Sequence, residues 1–331
     1  MRIVVLMGGS SAERDVSLAT GHGVAEALIA SGHTVVALDP GTGKRLSLDR
    51  TGARIGEEPP PGTAVAVRGG RTPVLLAESR DLIESDVVFV ALHGGAGEDG
   101  TLQAVLDLAG VPYTGSGMLA SALAMDKHRA KQIFAAAGIP VAPGVLLRDS
   151  GDPIDPRGLG GYPLVVKPNR QGSSVGVHVV EREAGLPAAL EDAFSYGEVL
   201  VEKFIPGREL TVAVLGGEPL PVVEIVTDEG FYDYRHKYTR GHTRYEVPAS
   251  LDPETAVRLG DLGAAAFTSL GCSGVARVDF RLDPENRPFC LEVNTVPGMT
   301  ETSLVPMAAR EGGIDYRALV DHLVTLAGSG S

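Results

Sequence analysis

The sequence predicts an α/β unit built on an open parallel sheet, followed by a strand-rich α+β portion. Three observations carry this. In the first third, short aliphatic runs alternate with amphipathic stretches, the rhythm of strands joined by crossover helices. Past Pro140, Gly/Pro punctuation introduces short strands. Near the C-terminus, two segments of period-two alternation flank a polar turn. The chain has 331 residues, 44% hydrophobic and 21% charged, which is a core-forming composition with room for two or three domains at roughly 150 residues each.

The elements follow in order. Residues 3–7 read as a buried strand, 15–31 as a helix and 34–38 as a second strand. A Gly/Pro-rich stretch over 39–62 reads as irregular, with small strands near Val65 and Val74 and a strong one over 87–92. Residues 101–109 form a helix, 111–113 a short strand, and 119–137 a longer helix ended by Gly138. The next unit has strands over 164–167 and 175–180, a helix over 184–194 and a strand over 199–203. Then come strands over 210–215 and 222–226, a polar segment over 227–245 and a helix over 253–270. Strands over 274–282 and 288–294, a closing helix over 314–326 and a disordered Gly/Ser tail over 328–331 complete the chain. The division expected is 1–115, 116–205 and 206–331.

A net charge of −13 disfavours general binding to nucleic acid or anionic membranes, because the mean field repels phosphate. The longest apolar run, over 87–92, falls far short of the roughly 20 residues of a membrane span. The apolar start of the chain is too short for a signal-peptide core and meets Glu13-Arg14-Asp15 at once. Cys272 and Cys290 lie far apart in apolar surroundings and read as reduced packing residues. A cytosolic protein is expected.

Two motifs mislead. Gly95-Ala96-Gly97-Glu98-Asp99-Gly100 fits a dinucleotide fingerprint, yet Glu98 and Asp99 set carboxylates where a pyrophosphate must sit. Gly172-Ser173-Ser174-Val175-Gly176 fits a hydrolase nucleophile elbow, but an elbow leads into a helix and this segment leads into an alternating strand. It reads as a hairpin flap.

The C-terminal hairpin carries the chemistry. Arg277 and Asp279 share one face of their strand, opposite Ala276, Val278 and Phe280, and Glu292 and Asn294 share one face of theirs. Pairing symmetric about the 283–288 turn sets Asp279 against Glu292 and Arg277 against Asn294. Facing carboxylates are unfavourable unless a proton or a cation intervenes. Two carboxylates and an amide oxygen suit magnesium bridging phosphates; the competing reading is a solvated sheet edge neutralised by Arg277. Lys127, on a helix, and Lys167 and Lys203, at strand ends, supply scattered cations. Each alone reads as a surface charge; with the hairpin they make a nucleotide triphosphate site lacking a Walker loop. The Gly172-Ser173-Ser174 loop offers backbone N–H groups to phosphate.

These motifs, taken in order, resemble the D-alanine–D-alanine ligases of the ATP-grasp superfamily. The resemblance runs from Gly8-Gly9-Ser10-Ser11-Ala12-Glu13-Arg14-Asp15-Val16-Ser17 through Leu92-His93-Gly94-Gly95 and Tyr113-Thr114-Gly115-Ser116 to Met125-Asp126-Lys127. It continues with Val166-Lys167-Pro168, the serine loop, Glu202-Lys203, Phe231-Tyr232-Asp233-Tyr234 and Lys237-Tyr238. It closes with Arg277-Val278-Asp279, Leu291-Glu292-Val293-Asn294, Pro297-Gly298-Met299-Thr300 and Ser303-Leu304. Arg14 stands where the family often has histidine, and Arg208 lies in the segment before Glu209.

The resemblance implies an ATP-grasp fold preceded by a Rossmann-like parallel domain, and ligation of two D-alanines through an acyl phosphate for peptidoglycan precursor synthesis. A relative using D-lactate or D-serine as second substrate is the alternative. It implies ATP and two magnesium or manganese ions as cofactors, the metals at Asp279, Glu292 and Asn294. Lys127, Lys167, Lys237, Ser173 and Ser174 fall to the phosphates; Glu202, Lys203, Ile205, Glu209 and Phe231 to the adenosine. Glu13 falls to the first D-alanine, with His93 beside it. Glu13 also reads as a helix N-terminal acid, and His93 as a buried structural histidine. Arg277 and the Gly298 N–H make an oxyanion hole, and Glu13, Ser173 and Tyr238 a proton network. Ser303 and Leu304 hold the second substrate, and Tyr238 also governs its choice. Residues 227–245 are a lid, with Gly241 allowing movement, and a homodimer is the family expectation.

Overall fold

The computed structural model describes residues 1–48, 79–227 and 243–328. The strands expected near Val65 and Val74, and the lid residues Phe231, Lys237, Tyr238 and Gly241, lie outside the described residues.

The first sheet has the order β3-β2-β1-β4. In it β1 (Arg2–Leu6) lies between β2 (Thr34–Asp39) and β4 (Val87–Val90), both parallel to it, and β3 (Lys44–Arg45) adds an antiparallel edge. That edge falls inside the stretch read as irregular. The aliphatic runs are buried on both faces, as covered parallel strands require. Helix α1 (Arg14–Ala30) covers one face; α2 (Arg80–Ile83) precedes β4, and α3 (Thr101–Ala109) follows it. The expected strand over 111–113 is reduced to a single bridge from Tyr113 to Val88, because Pro112 has no N–H for a ladder.

The helix expected over 119–137 is two helices, α4 (Met118–Met125) and α5 (Lys127–Ala136). The break is Asp126, whose extended backbone ends one and whose carboxylate caps the other by accepting from the Arg129 N–H. Asn169 and Arg170 also donate to it, so the kink is locked to the strand carrying Lys167.

The second sheet, order β5-β8-β6-β7, is antiparallel: β5 (Gly144–Leu147), β6 (Leu164–Pro168), β7 (His178–Val180) and β8 (Val199–Lys203). The β6–β7 pair is the expected flap, with its second strand starting at His178 rather than 175. Helix α6 (Leu186–Phe194) follows a 3₁₀ turn over Glu183–Gly185, since Pro187 favours the first turn of a helix. This sheet has its own core, including Leu164, Val166, Val199, Val201 and Ala193.

The third sheet runs β12-β11-β9-β13-β14, with β10 (Glu218–Pro219) beside β9. Its strands are β9 (Arg208–Leu215), β11 (Val223–Thr227), β12 (Thr243–Glu246), β13 (Val275–Leu282) and β14 (Pro288–Asn294). Helix α7 (Pro253–Ser269), capped by Asp252, packs on it. Phe134, Phe280 and Leu282 are fully buried there, each contributing roughly 2–3 kcal/mol of transfer free energy. Helix α8 (Leu304–Glu311) was not expected, and α9 (Tyr316–Gly328) takes in Gly328 of the predicted tail. Leu319, Val320 and Leu323 of α9 share one core with Ile3, Val5 and Leu28, so the chain's end covers its beginning. No helix among the described residues is long and apolar enough to cross a membrane. Both cysteines are free.

Candidate functional site

A cleft of about 320 Å³ opens where the three sheets meet. Every candidate site residue within the described segments lines it; Phe231, Lys237 and Tyr238 are the candidates outside them.

One wall is the hairpin. Arg277 pairs with Asn294 and Asp279 with Glu292, the register that alternation predicts. Between Asp279 and Phe280 the ladder shifts by one residue, leaving Leu291 as a bulge. This is no solvated edge. β13 lies between β9 and β14, and Asp279 is buried. Arg277 binds Asp279 through two hydrogen bonds of 2.9 and 2.8 Å, the Thr211 hydroxyl donates to the same carboxylate at 2.7 Å, and Lys127 approaches Glu292 at 3.2 Å. Cations thus offset the facing carboxylates. The Asn294 side-chain oxygen accepts from the Val296 N–H at 2.9 Å and retains a second lone pair.

Among the described residues no three His, Cys, Asp or Glu side chains form a ready cage for a metal. Two carboxylates and one amide oxygen on one face fit magnesium, which keeps water and phosphate oxygens as its remaining ligands.

The floor is basic. Lys127, the first residue of α5, donates to the Gln171 carbonyl at 2.7 Å. Lys167, near the end of β6, pairs with Glu202 at 2.7 Å, and Glu202 also pairs with Lys131 at 2.7 Å. Burial pushes the Glu202 carboxyl up, but the two ammonium groups outweigh it and hold the group below the ordinary glutamate value. Lys131 escaped sequence reasoning; its signal was the four-residue spacing from Lys127, which puts both on one helix face. Arg281 was also missed, although it continues the series 277, 279, 281. It binds Glu209 at 3.3 Å and the carbonyls of Ile205 and Gly207 at 3.1 and 2.7 Å, fixing the turn that carries Ile205.

The other end is built from loops. Glu13 occupies the N-cap position of α1, and the Ser173 hydroxyl donates to its carboxylate. Ser173 and Ser174 both hold left-handed backbone, φ 53° and 58°, a strained state for L-residues that clusters at functional sites. His93 is buried, with one ring nitrogen 2.9 Å from the Thr20 hydroxyl and the other 3.0 Å from the Val296 carbonyl. It joins α1 to the segment after β14 while lining the cleft. Gly94 has φ +71°, and a Cβ there would come within 2.7 Å of a Glu13 carboxylate oxygen. Opposite, Ser303 sits at the N-cap of α8 with its hydroxyl on Thr300. Ser303, Leu304 and Val305, at the start of α8, line the cleft, and a helix N-terminus suits a carboxylate. Gly298 lies next to the Ser303 hydroxyl.

The chain matches the family model "D-ala D-ala ligase N-terminus" over residues 2–116 and "D-ala D-ala ligase C-terminus" over 133–325. It is 45% identical to a D-alanine–D-alanine ligase of Syntrophotalea carbinolica over 325 residues, 98% of this chain and 95% of that protein. The crystal structure of a D-alanine–D-alanine ligase from Bacillus anthracis complexed with ATP superposes with a TM-score of 0.78 at 33% identity, covering 99% of this chain and 96% of that one. The VanG D-Ala:D-Ser ligase of Enterococcus faecalis gives the same TM-score at 31% identity, covering 98% and 99%. Two family models take in nearly the whole chain, and the fold gathers in one cleft the described site residues that the resemblance implied: the chain belongs to the D-alanine–D-alanine ligase family of ATP-grasp enzymes.

Proposed function

We propose that the chain joins two D-alanines into D-alanyl-D-alanine using ATP, supplying a precursor of peptidoglycan. The observation that carries this is one cleft holding Lys127, Lys167 and Arg277 beside the facing pair Asp279 and Glu292. Phosphoryl transfer between anions needs such charge compensation.

Glu13 accepts the ammonium of the first D-alanine and leaves its carboxylate toward the phosphates. That oxygen bonds to the γ-phosphorus as the bond to the β-phosphate oxygen breaks, releasing ADP and an acyl phosphate. Lys127, Lys167, Arg277 and Lys237 hold the phosphate charge, and the Ser173–Ser174 backbone cradles it. Asp279, Glu292 and Asn294 would hold magnesium or manganese, two ions per site, and the metal would supply charge neutralisation for the phosphates. Glu202, Lys203, Ile205, Glu209 and Phe231 receive the adenosine.

The second D-alanine docks its carboxylate at Ser303 and Leu304, against the start of α8. Its amine loses a proton through Glu13, Ser173 and Tyr238, then attacks the acyl carbon. Arg277 and the Gly298 N–H stabilise the oxyanion, and phosphate leaves as the carbon–oxygen bond breaks. The expected lid over 227–245 would keep water from the acyl phosphate. The reading carries a cytoplasmic enzyme with an N-terminal substrate domain over 1–115 and ATP-grasp lobes over 116–205 and 206–331. It also carries a homodimer, supported by exposed Leu108 and Leu119 on neighbouring helices.

The test is phosphate release from ATP and magnesium with D-alanine, L-alanine, or D-alanine plus D-lactate or D-serine, with products identified by mass. Release with D-alanine alone, yielding the dipeptide, supports the reading. A depsipeptide or a D-alanyl-D-serine product moves the chain to the alternative second substrate, and release independent of any D-amino acid overturns both.

A further inference from the structure

Lys131 has no part in the mechanism above, yet its ammonium is buried at the base of the cleft. It lies one helical turn beyond Lys127 on α5, with a relative exposure of 6%. Its Nζ is 2.7 Å from Glu202 Oε1, and Lys167 Nζ is 2.7 Å from Glu202 Oε2. It also reaches the Cys290 carbonyl on β14 at 3.3 Å. One carboxylate therefore separates two ammonium groups. Burying a lysine is costly, and a post that only filled space would be better served by methionine or leucine.

The charge count explains the arrangement. Lys167 and Glu202 alone sum to zero and would offer a polyanion no net attraction; Lys131 brings the cluster to +1. Burial and the neighbouring Lys167 push the Lys131 ammonium down, while Glu202 opposes them. The carboxylate is itself kept ionised by both lysines.

We propose that Lys131 is a positioning residue for the nucleotide: by offsetting the Glu202 carboxylate that also holds Lys167, it gives the buried cluster the net positive charge that draws the phosphates to Lys167. The inference rests on the cleft being the nucleotide site, and not on which amino acid is joined.

The test titrates the full chain, in magnesium, with ATP and separately with adenosine. The ratio of adenosine Kd to ATP Kd isolates the phosphates from the base and ribose. Lys131→Met lowers that ratio roughly tenfold, the scale of one unit charge acting across several ångströms of partly screened protein. Lys131→Arg restores it. So does Lys131→Met combined with Glu202→Gln, which returns the cluster to +1. A merely structural post predicts losses that strike ATP and adenosine alike and that add in the double variant. An unchanged ratio in Lys131→Met, or an additive loss, overturns the proposal. Where Lys131→Met alone does not fold, Glu202→Gln is compared with the double variant, and the same tenfold fall is required between them. A wild-type protein that binds no ATP overturns the nucleotide reading itself, a result distinct from a failure of Lys131's role.

Discussion

Asp39→Asn tests whether the loop before Glu13 is held by charge. Asp39 is fully buried at the end of β2. One oxygen accepts the N–H groups of Gly9 and Gly41, each at 2.9 Å; the other accepts the Thr42 hydroxyl at 3.1 Å and Arg14 at 2.7 Å. Arg14 in turn donates to the Gly9 carbonyl at 2.5 Å. Asparagine keeps the first oxygen but turns an NH₂ toward the Arg14 guanidinium, donor against donor, and leaves that cation without its anion. Losing a charged hydrogen bond and stranding a partly buried cation costs about 2–4 kcal/mol, a large share of the roughly 5–15 kcal/mol that holds a protein folded.

The pH dependence has a definite sign. Burial raises the Asp39 carboxyl, but Arg14 and the Gly9 and Gly41 N–H groups overcome it and hold the group below the ordinary aspartate value. A depressed folded value means the contribution to stability is complete above the unfolded pKa of about 3.9 and is lost as pH falls through the folded one. Urea unfolding should therefore show a gap of about 2–4 kcal/mol between wild type and Asp39→Asn at pH 7, narrowing toward pH 3. Steady-state kinetics should show a raised KM for the first D-alanine with KM for ATP little changed, because through Gly9 and Arg14 Asp39 holds the chain on either side of Glu13. A gap below about 0.5 kcal/mol, or one constant across that pH range, would refute the reasoning.

Glu292→Gln removes one of the two facing carboxylates; turnover should fall sharply while the thermal unfolding midpoint stays near wild type, and near-normal activity at limiting magnesium would remove Glu292 from the metal site. Chelation by EDTA should abolish phosphate release, with activity returning on addition of magnesium or manganese. Tyr238→Phe should alter the pH profile of amine-dependent turnover, and an unchanged profile takes the residue out of the proton network. Gly298→Ala would set a Cβ 3.0 Å from the Ser303 hydroxyl; kcat should drop by about 10²-fold, the scale for disturbing one oxyanion donor, and wild-type kcat would exclude that role.

Legibility followed the strength of the local signal. The β13–β14 register was readable because polar and apolar residues alternate cleanly and the turn is short, so any slip would bury Asp279's neighbours on the wrong face. The Leu291 bulge was not, since no glycine or proline marks it. The α4–α5 break was hidden because the apolar pattern runs on through Asp126; Asn169 and Arg170, far off in sequence, make that residue a cap. Helix α8 was hidden by its brevity and by Pro306, which is tolerated in a first turn. Lys131 looked like any helical surface lysine, and only the burial of Glu202 against it gives it a role. The resemblance drew together residues that periodicity leaves scattered.

The partition of the cores makes a last prediction about motion. The first and third sheets share one apolar core, in which α9 packs against α1 and Val305 and Ala308 of α8 join Ala213 and Val275. Helices α4 and α5 belong to the third sheet's second core through Ala124, Ala130 and Phe134. The second sheet has a closed core of its own, built from its four strands and α6. Polar links tie it to the others across the cleft: Ser173 to Glu13, Lys127 to the Gln171 carbonyl, Asn169 to Asp126 and Lys131 to Glu202. Polar links re-form readily in water, whereas a shared core does not part without exposing apolar surface. The second sheet should therefore move as a unit, closing on nucleotide by a hinge at its connections. X-ray scattering should show the radius of gyration falling when magnesium and a non-hydrolysable ATP analogue are added. Hydrogen exchange should slow at the serine loop while the core of β6 and β8 keeps its protection. A radius indifferent to nucleotide, or protection lost within β6 and β8 themselves, would mean that the second sheet is not a separate rigid body.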